Sequence, residues 1–289
     1  MGTQKDFPGK TGYLYSKKTD EAWSNLHKKI EQEVVHEIKL VFYNSLKVRI
    51  AAILILLLGL AWGIRSIVNS RMENIQTTSS QRQVTLPDGS TVYLNSNSHL
   101  KYPKVFGKYE RKVTLSGEGF FKVTKNPLKP FIVETQSARI KVLGTSFNVM
   151  APKGKDRVEV LVKTGIVSLS PLNNRKDKLY LKKGDFALVQ AGKTSRAKAP
   201  GINYLSWQTK KFRFENEKLI NVIHVLNHAY AKHILLATDS LEQLRLTSTY
   251  NQVSLQTIIR SLCLTFHLRA AHTGNEIILN SVNKQPDSK

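Results

Sequence analysis

The chain has 289 residues, a formal net charge of +23 and a single cysteine, Cys263. One cysteine excludes an intrachain disulfide and any cysteine-based metal cluster. The basic balance would attract nucleic acid or anionic surfaces, yet the cations alternate with apolar residues, as in Arg139, Ile140, Lys141, Val142, which is the pattern of a solvated strand face rather than of a nucleic-acid groove.

The first element is a helix with Thr19 or Asp20 as N-cap, reading DEAWSNLHKKIEQEVVHEIKL. Trp23, Leu26, Ile30 and Val34 recur at steps of three, four and four residues, so they form one apolar stripe on an otherwise polar helix. The stripe wants cover from a partner protein or a membrane surface, and Trp23 suits an anchor in a protein groove. A plain helical stalk feeding the next segment is the alternative.

Residues 50–64, IAAILILLLGLAWGI, are charge-free and bounded by Arg49 and Arg65. Fifteen residues reach only about 22 Å, against roughly 30 Å of hydrocarbon. Extending the segment to 48–68 gives 21 residues, enough for one transmembrane helix if the two arginines carry their guanidinium groups to the headgroups. Nearby basic residues tie across the segment, with Lys39, Lys47 and Arg49 before it and Arg65, Arg71 and Arg82 after it. The short N-terminal part, 1–47, is therefore placed in the cytoplasm because long following domains translocate despite their charge.

Residues 69–83 are rich in Ser, Thr and Gln and read as a linker. Over 84–200 the pattern becomes period two, with turn residues every eight to twelve positions, such as Pro87-Asp88-Gly89, Gly144, Gly165 and Lys183-Gly184-Asp185. That is an all-β domain, with sandwich, barrel and roll all open. Over 207–281 the order is strand, helix, strand, strand, helix, strand and a last hairpin partner. It predicts a small α+β domain built from a repeated βαβ-like unit. Leu219, Val222, Ile223, Leu226 and Tyr230 make the buried side of its first helix; Leu255, Ile258, Ile259, Leu262 and Phe266 do so for the second, capped by Ser254.

Little chemistry is evident. His224 and His228 stand four apart on a helix, but no third ligand is near, so they read as a solvated pair on the polar face. Cys263 edges an apolar stripe and reads as a buried thiol. Gly117-Glu118-Gly119 precedes a strand and is no phosphate loop. No acid pair or nucleophilic triad emerges, so no catalytic residue, metal or cofactor is assigned and the chain is read as a non-enzyme. A hidden hydrolase and a periplasmic surface- or glycan-binding structural protein are the competing classes.

The β domain resembles the FecR family of anti-sigma factors and transmembrane signal regulators. The resemblance runs in order through Leu86, Pro87, Asp88, Gly89 and Ser90, then Gly117, Glu118, Phe120 and Phe121, then Phe131, then Gly144, Thr145, Phe147 and Val149, and finally Gly165. Gly119 and Lys122 stand where relatives more often carry Ala and Glu. The C-terminal domain is similar to the one attached to FecR-like proteins of Bacteroidota, itself similar to the signalling domain of secretins and TonB-dependent transducers.

The resemblance implies a single-pass inner-membrane protein, N-terminus in the cytoplasm and most of the chain periplasmic. Its implied partners are a cytoplasmic extracytoplasmic-function (ECF) sigma factor and the signalling domain of an outer-membrane TonB-dependent receptor. Signalling through regulated proteolysis, and control of uptake-gene transcription without direct nucleic-acid binding, follow from the same likeness. The Trp23 stripe would face the sigma factor, although relatives usually carry a longer helical region before that tryptophan.

Overall fold

The computed structural model describes residues 17–34, 46–69, 71–274 and 276–282. The chain divides after Ile64 into two units. In the first, α1 (Lys17–Val34) carries Asp20 in its first turn, where a carboxylate complements the positive end of the helix; the expected helical stretch beyond Val34, up to residue 40, lies outside the described residues. The second helix, α2, is Leu46–Asn69.

Among the described residues no helix is long and apolar enough to cross a membrane. The transmembrane helix expected over 48–68 is thus found as a helix but not as a self-sufficient span. The physical reason is the one visible in the sequence: charges at Arg49 and Arg65 confine the uninterrupted apolar stretch to 50–64, which is about one-quarter too short.

The second unit opens with thirteen strands: β1 (Met72–Gln76), β2 (Arg82–Thr85), β3 (Thr91–Leu94), β4 (His99–Pro103), β5 (Arg111–Lys122), β6 (Phe131–Glu134), β7 (Ala138–Val142), β8 (Ser146–Ala151), β9 (Arg157–Thr164), β10 (Ile166–Pro171), β11 (Leu179–Lys182), β12 (Phe186–Gln190) and β13 (Lys193–Ala197). They form one continuous network bent into two facing layers, a near-closed barrel-like sandwich. The first layer runs β1-β4-β5-β6-β7-β10-β11 and the second β2-β3-β5-β8-β9-β12-β13. All pairs are antiparallel except β5 with β6. Alternate residues of both layers, among them Leu86, Val92, Leu100, Leu115, Phe121, Phe131, Phe147 and Val149, fill a single core, as expected where each strand has one buried face.

Strand β5 belongs to both layers. Its first half pairs with β4 and β6 and its second half with β3 and β8. The residues read as a linker are partly structured: β1 pairs with β4 from Met72↔Pro103 to Gln76↔His99. Composition hid this strand because three of its five residues, Glu73, Asn74 and Gln76, are polar and only Ile75 packs against the core.

A short helix α3 (Ser206–Thr209) leads to β14 (Lys211–Lys218), α4 (Leu219–Tyr230), β15 (His233–Leu236), α5 (Asp239–Glu242), β16 (Arg245–Asn251), α6 (Leu255–Phe266), β17 (Leu268–Thr273) and β18 (Glu276–Ser281). The halves β14-α4-β15 and β16-α6-β17 repeat one another. Their first strands pair antiparallel, and their second strands flank β18. Leu219, Val222, Ile223, Leu226, Ile258, Ile259 and Leu262 are buried together, with Tyr230, Leu255 and Phe266 packed at the margin. Ser254 caps α6, its hydroxyl accepting from Thr257 N–H at 3.2 Å.

Candidate functional site

The turn Leu86-Pro87-Asp88-Gly89 is closed by the Gly89 N–H donating to Leu86 C=O at 3.0 Å, with proline at the second position as such turns favour. The turn aims Asp88 inward. Its carboxylate accepts from Ser90 N–H at 3.1 Å, from Ser90 Oγ at 2.7 Å and from Arg111 Nη1 at 2.6 Å. Arg111 is 2% exposed, also donates to the carbonyls of Lys129 and Thr124, and stacks 5.5 Å from the Phe131 ring centroid. Asp88, Ser90 and Phe131 are therefore parts of one buried clamp between the ends of β2, β5 and β6.

Three signature glycines, Gly117, Gly144 and Gly165, lie where the chain passes between layers. Gly117 divides the two halves of β5 with φ 93°, and a Cβ there would sit 2.6 Å from the Ser98 Cα; only glycine meets both conditions. Gly165, φ 78°, joins β9 to β10 and receives the Thr145 methyl, which would lie 2.5 Å from an added Cβ. Gly144 makes the β7 to β8 crossing against Lys125, after which Phe147 and Val149 point into the core.

Past Gly117, consecutive side chains of β5 take opposite faces. Phe121 enters the sandwich core, stacked 5.2 Å from Phe147. Phe120 does not: it is buried in the core of the C-terminal domain, beside Trp207 and near Tyr93. Glu118 lies on the same outer face and is 4% exposed. Its carboxylate accepts from Asn95 Nδ2 at 2.8 Å and Asn148 Nδ2 at 2.9 Å, and faces His228 Nε2 of α4 at 2.8 Å. An ionised carboxylate only accepts, so the imidazole nitrogen is the donor. Gln81 Nε2 donates to Ala229 C=O at 2.9 Å, joined there by Lys210 Nζ, so donors from both sides cap the end of α4.

The expectation of a solvated histidine pair is corrected here. His224 is exposed, but His228 holds α4 to the β domain. Helical spacing alone places both on one polar face, whereas His224 faces water and His228 the outer side of β5. Among the described residues no group of three or more His, Cys, Asp or Glu is placed to hold a metal ion. Cys263 is half-buried, and burial pushes its thiol pKa up, which suits a packing role.

The same order of parts is found by comparison. Residues 73–168 match the family described as FecR protein, and residues 211–279 match its companion, FecR, C-terminal. The chain belongs to the FecR family. Two crystal structures of a proposed anti-sigma factor from Parabacteroides distasonis share its fold, with 27% and 28% identity, TM-scores of 0.54, and coverage of 74% and 73% of this chain and all of theirs. No curated protein matches.

In this FecR chain the signature thus has two jobs. Leu86, Asp88, Gly89, Ser90, Phe131, Gly144, Thr145, Phe147, Val149 and Gly165 build the sandwich, whereas Gly117, Glu118 and Phe120 deliver its outer face to the C-terminal domain. On α1, Trp23 and Leu26 are 54% and 46% exposed; Ile30 and Val34 fall on the same helix, and their side chains lie outside the described residues.

A pH dependence follows. Burial pushes the His228 pKa down, but the Glu118 hydrogen bond and charge outweigh it, aided by Glu159 and opposed by Lys210, so the net shift is upward. A raised pKa in the docked state means that the contact is at full strength below the ordinary histidine value of about 6.5 and is lost as pH rises through the shifted one. Proteolysis of the 198–210 segment should accelerate from pH 6 to pH 8.5 after correction for protease activity, and His228→Gln should abolish that acceleration, leaving only the opposite trend from Lys210, whose pKa burial lowers to about 8.

Proposed function

We propose that this FecR-family chain is an anti-sigma regulator anchored in the inner membrane. In this reading α1 holds an extracytoplasmic-function sigma factor, and the β and C-terminal domains stand in the periplasm. The C-terminal domain receives the signalling domain of a TonB-dependent receptor, and the relay governs transcription of uptake genes, with proteolysis of the regulator as its output step. The observation that carries the reading is the ordered match of both FecR parts, supported by the proposed anti-sigma factor of the same fold. The regulator class accords with a chain whose signature residues build contacts rather than a reaction centre.

Helix α2 supports the anchor. Ile53, Leu54, Ile55, Leu56, Leu57 and Leu58 are each more than half exposed, and six consecutive residues cover every side of a helix. Such a surface requires lipid or protein around it. The whole 24-residue helix reaches about 36 Å, which suffices if Arg49 and Arg65 extend to the headgroups.

The geometry inside the second unit supports the relay. A ligand that pulls on α4 acts on His228 and hence on Glu118, at the point where β5 changes layer. A periplasm-dependent reporter fused after Lys289 should be active and the same reporter fused before Thr19 inactive. The opposite pattern would reverse the orientation and remove the sigma factor from reach of α1.

A further inference from the structure

The outer face of the first layer is not the plain solvated surface that alternation suggests. Lys141 of β7, Ser168 of β10 and Tyr180 of β11 lie in one cross-strand row, and Arg139 and Ser170 form the next. Loops 125–130 and 172–178 wall this face into a cleft of about 970 Å³. Lys125 stands on one wall and Arg175 and Lys178 on the other, and none of the residues lining the cleft is an Asp or Glu. Arg139 is engaged by Glu134 and Glu110. Among the described residues Lys125, Lys141, Arg175 and Lys178 have no ion pair.

We propose that this cleft binds an acidic polysaccharide, a sugar chain bearing carboxylate or phosphate groups. Four unneutralised cations around a cleft concentrate a positive potential there, which draws in anions. Ser168 keeps the floor low between Lys141 and Tyr180, which stand about 10 Å apart across two strand spacings; that is room for a sugar ring. Tyr180 is 60% exposed and presents an apolar face with a polar tip, the usual platform for a ring. Exposed Leu143 and Ile166 extend the apolar side of the cleft. An extended acidic peptide is the poorer fit, because the backbone groups of β7, β10 and β11 that face one another across the floor are already paired, leaving no ladder there for an added strand. This site is independent of the sigma-factor reading.

The test is binding of the full-length chain, in neutral detergent, to polygalacturonate, to polyphosphate, to neutral dextran and to poly-glutamate at matched charge and ionic strength. Polygalacturonate should bind most tightly and dextran not at all. Lys141→Gln, Arg175→Gln and Lys178→Gln together should weaken polygalacturonate at least tenfold, while Lys153→Gln, Lys155→Gln and Lys193→Gln, which remove equal charge from the β8–β9 turn and the start of β13 in the second layer, should weaken it less than twofold. Tyr180→Ser should weaken it several-fold without changing the salt dependence. Equal losses in the two triple variants would reduce the effect to net charge and overturn the site. Poly-glutamate or polyphosphate binding as tightly as polygalacturonate would overturn the sugar assignment, as would an unchanged affinity in Tyr180→Ser.

Discussion

Arg111→Met or Asp88→Ala is expected to destabilise the β domain by about 3–5 kcal/mol, because either change leaves its partner buried and unpaired. The two side chains are 2% and 12% exposed, so water cannot replace the lost contact. The loss should appear as a fall in thermal midpoint on the order of 10 °C. Asp88→Ala together with Arg111→Met should recover part of it, since the pair is then absent rather than broken. Single variants that lose less than about 1 kcal/mol would mean that the clamp behaves as a surface pair.

The second large effect separates neighbouring phenylalanines. Phe120→Ala and Phe121→Ala each remove a buried ring, at about 3–5 kcal/mol, but from different cores. Phe121 packs with Phe131 and Phe147, so its loss should lower protection of β5 and β8 amides against hydrogen exchange. Phe120 packs among C-terminal residues, so its loss should release the C-terminal domain and expose the 198–210 segment to protease while β8 protection persists. Identical exchange patterns for the two variants would contradict the opposed faces of β5.

Much of the architecture was legible because it is local. Alternation marks β7, β9 and β12, and helical periodicity marks the buried sides of α4 and α6, since each rests on which residues face a core. Layer assignment was not legible. Whether Gly117, Gly144 and Gly165 turn the chain within a sheet or between layers depends on strand partners far away in sequence. β1 escaped notice because an edge strand with polar positions looks like a linker. The contact of Glu118 with His228 spans 110 positions, and no local pattern points across that distance. One signal was present: Glu118 and Phe120 share the outward face of β5, and a large aromatic on a face expected to be solvated marks a second interface. The Trp23 stripe is legible as amphipathic, but what covers it is a property of the partner.

Sigma-factor capture through α1 is the decisive expected behaviour of this chain. Full-length chain recovered from its own cells should bring down one extracytoplasmic-function sigma factor, and Trp23→Asp with Ile30→Asp should lose it, because a charge in place of a buried apolar anchor is left desolvated, while the β and C-terminal domains keep their thermal midpoint. Recovery of intact chain with no sigma factor, or equal capture by the double variant, would contradict the assignment of α1 as the sigma-binding element.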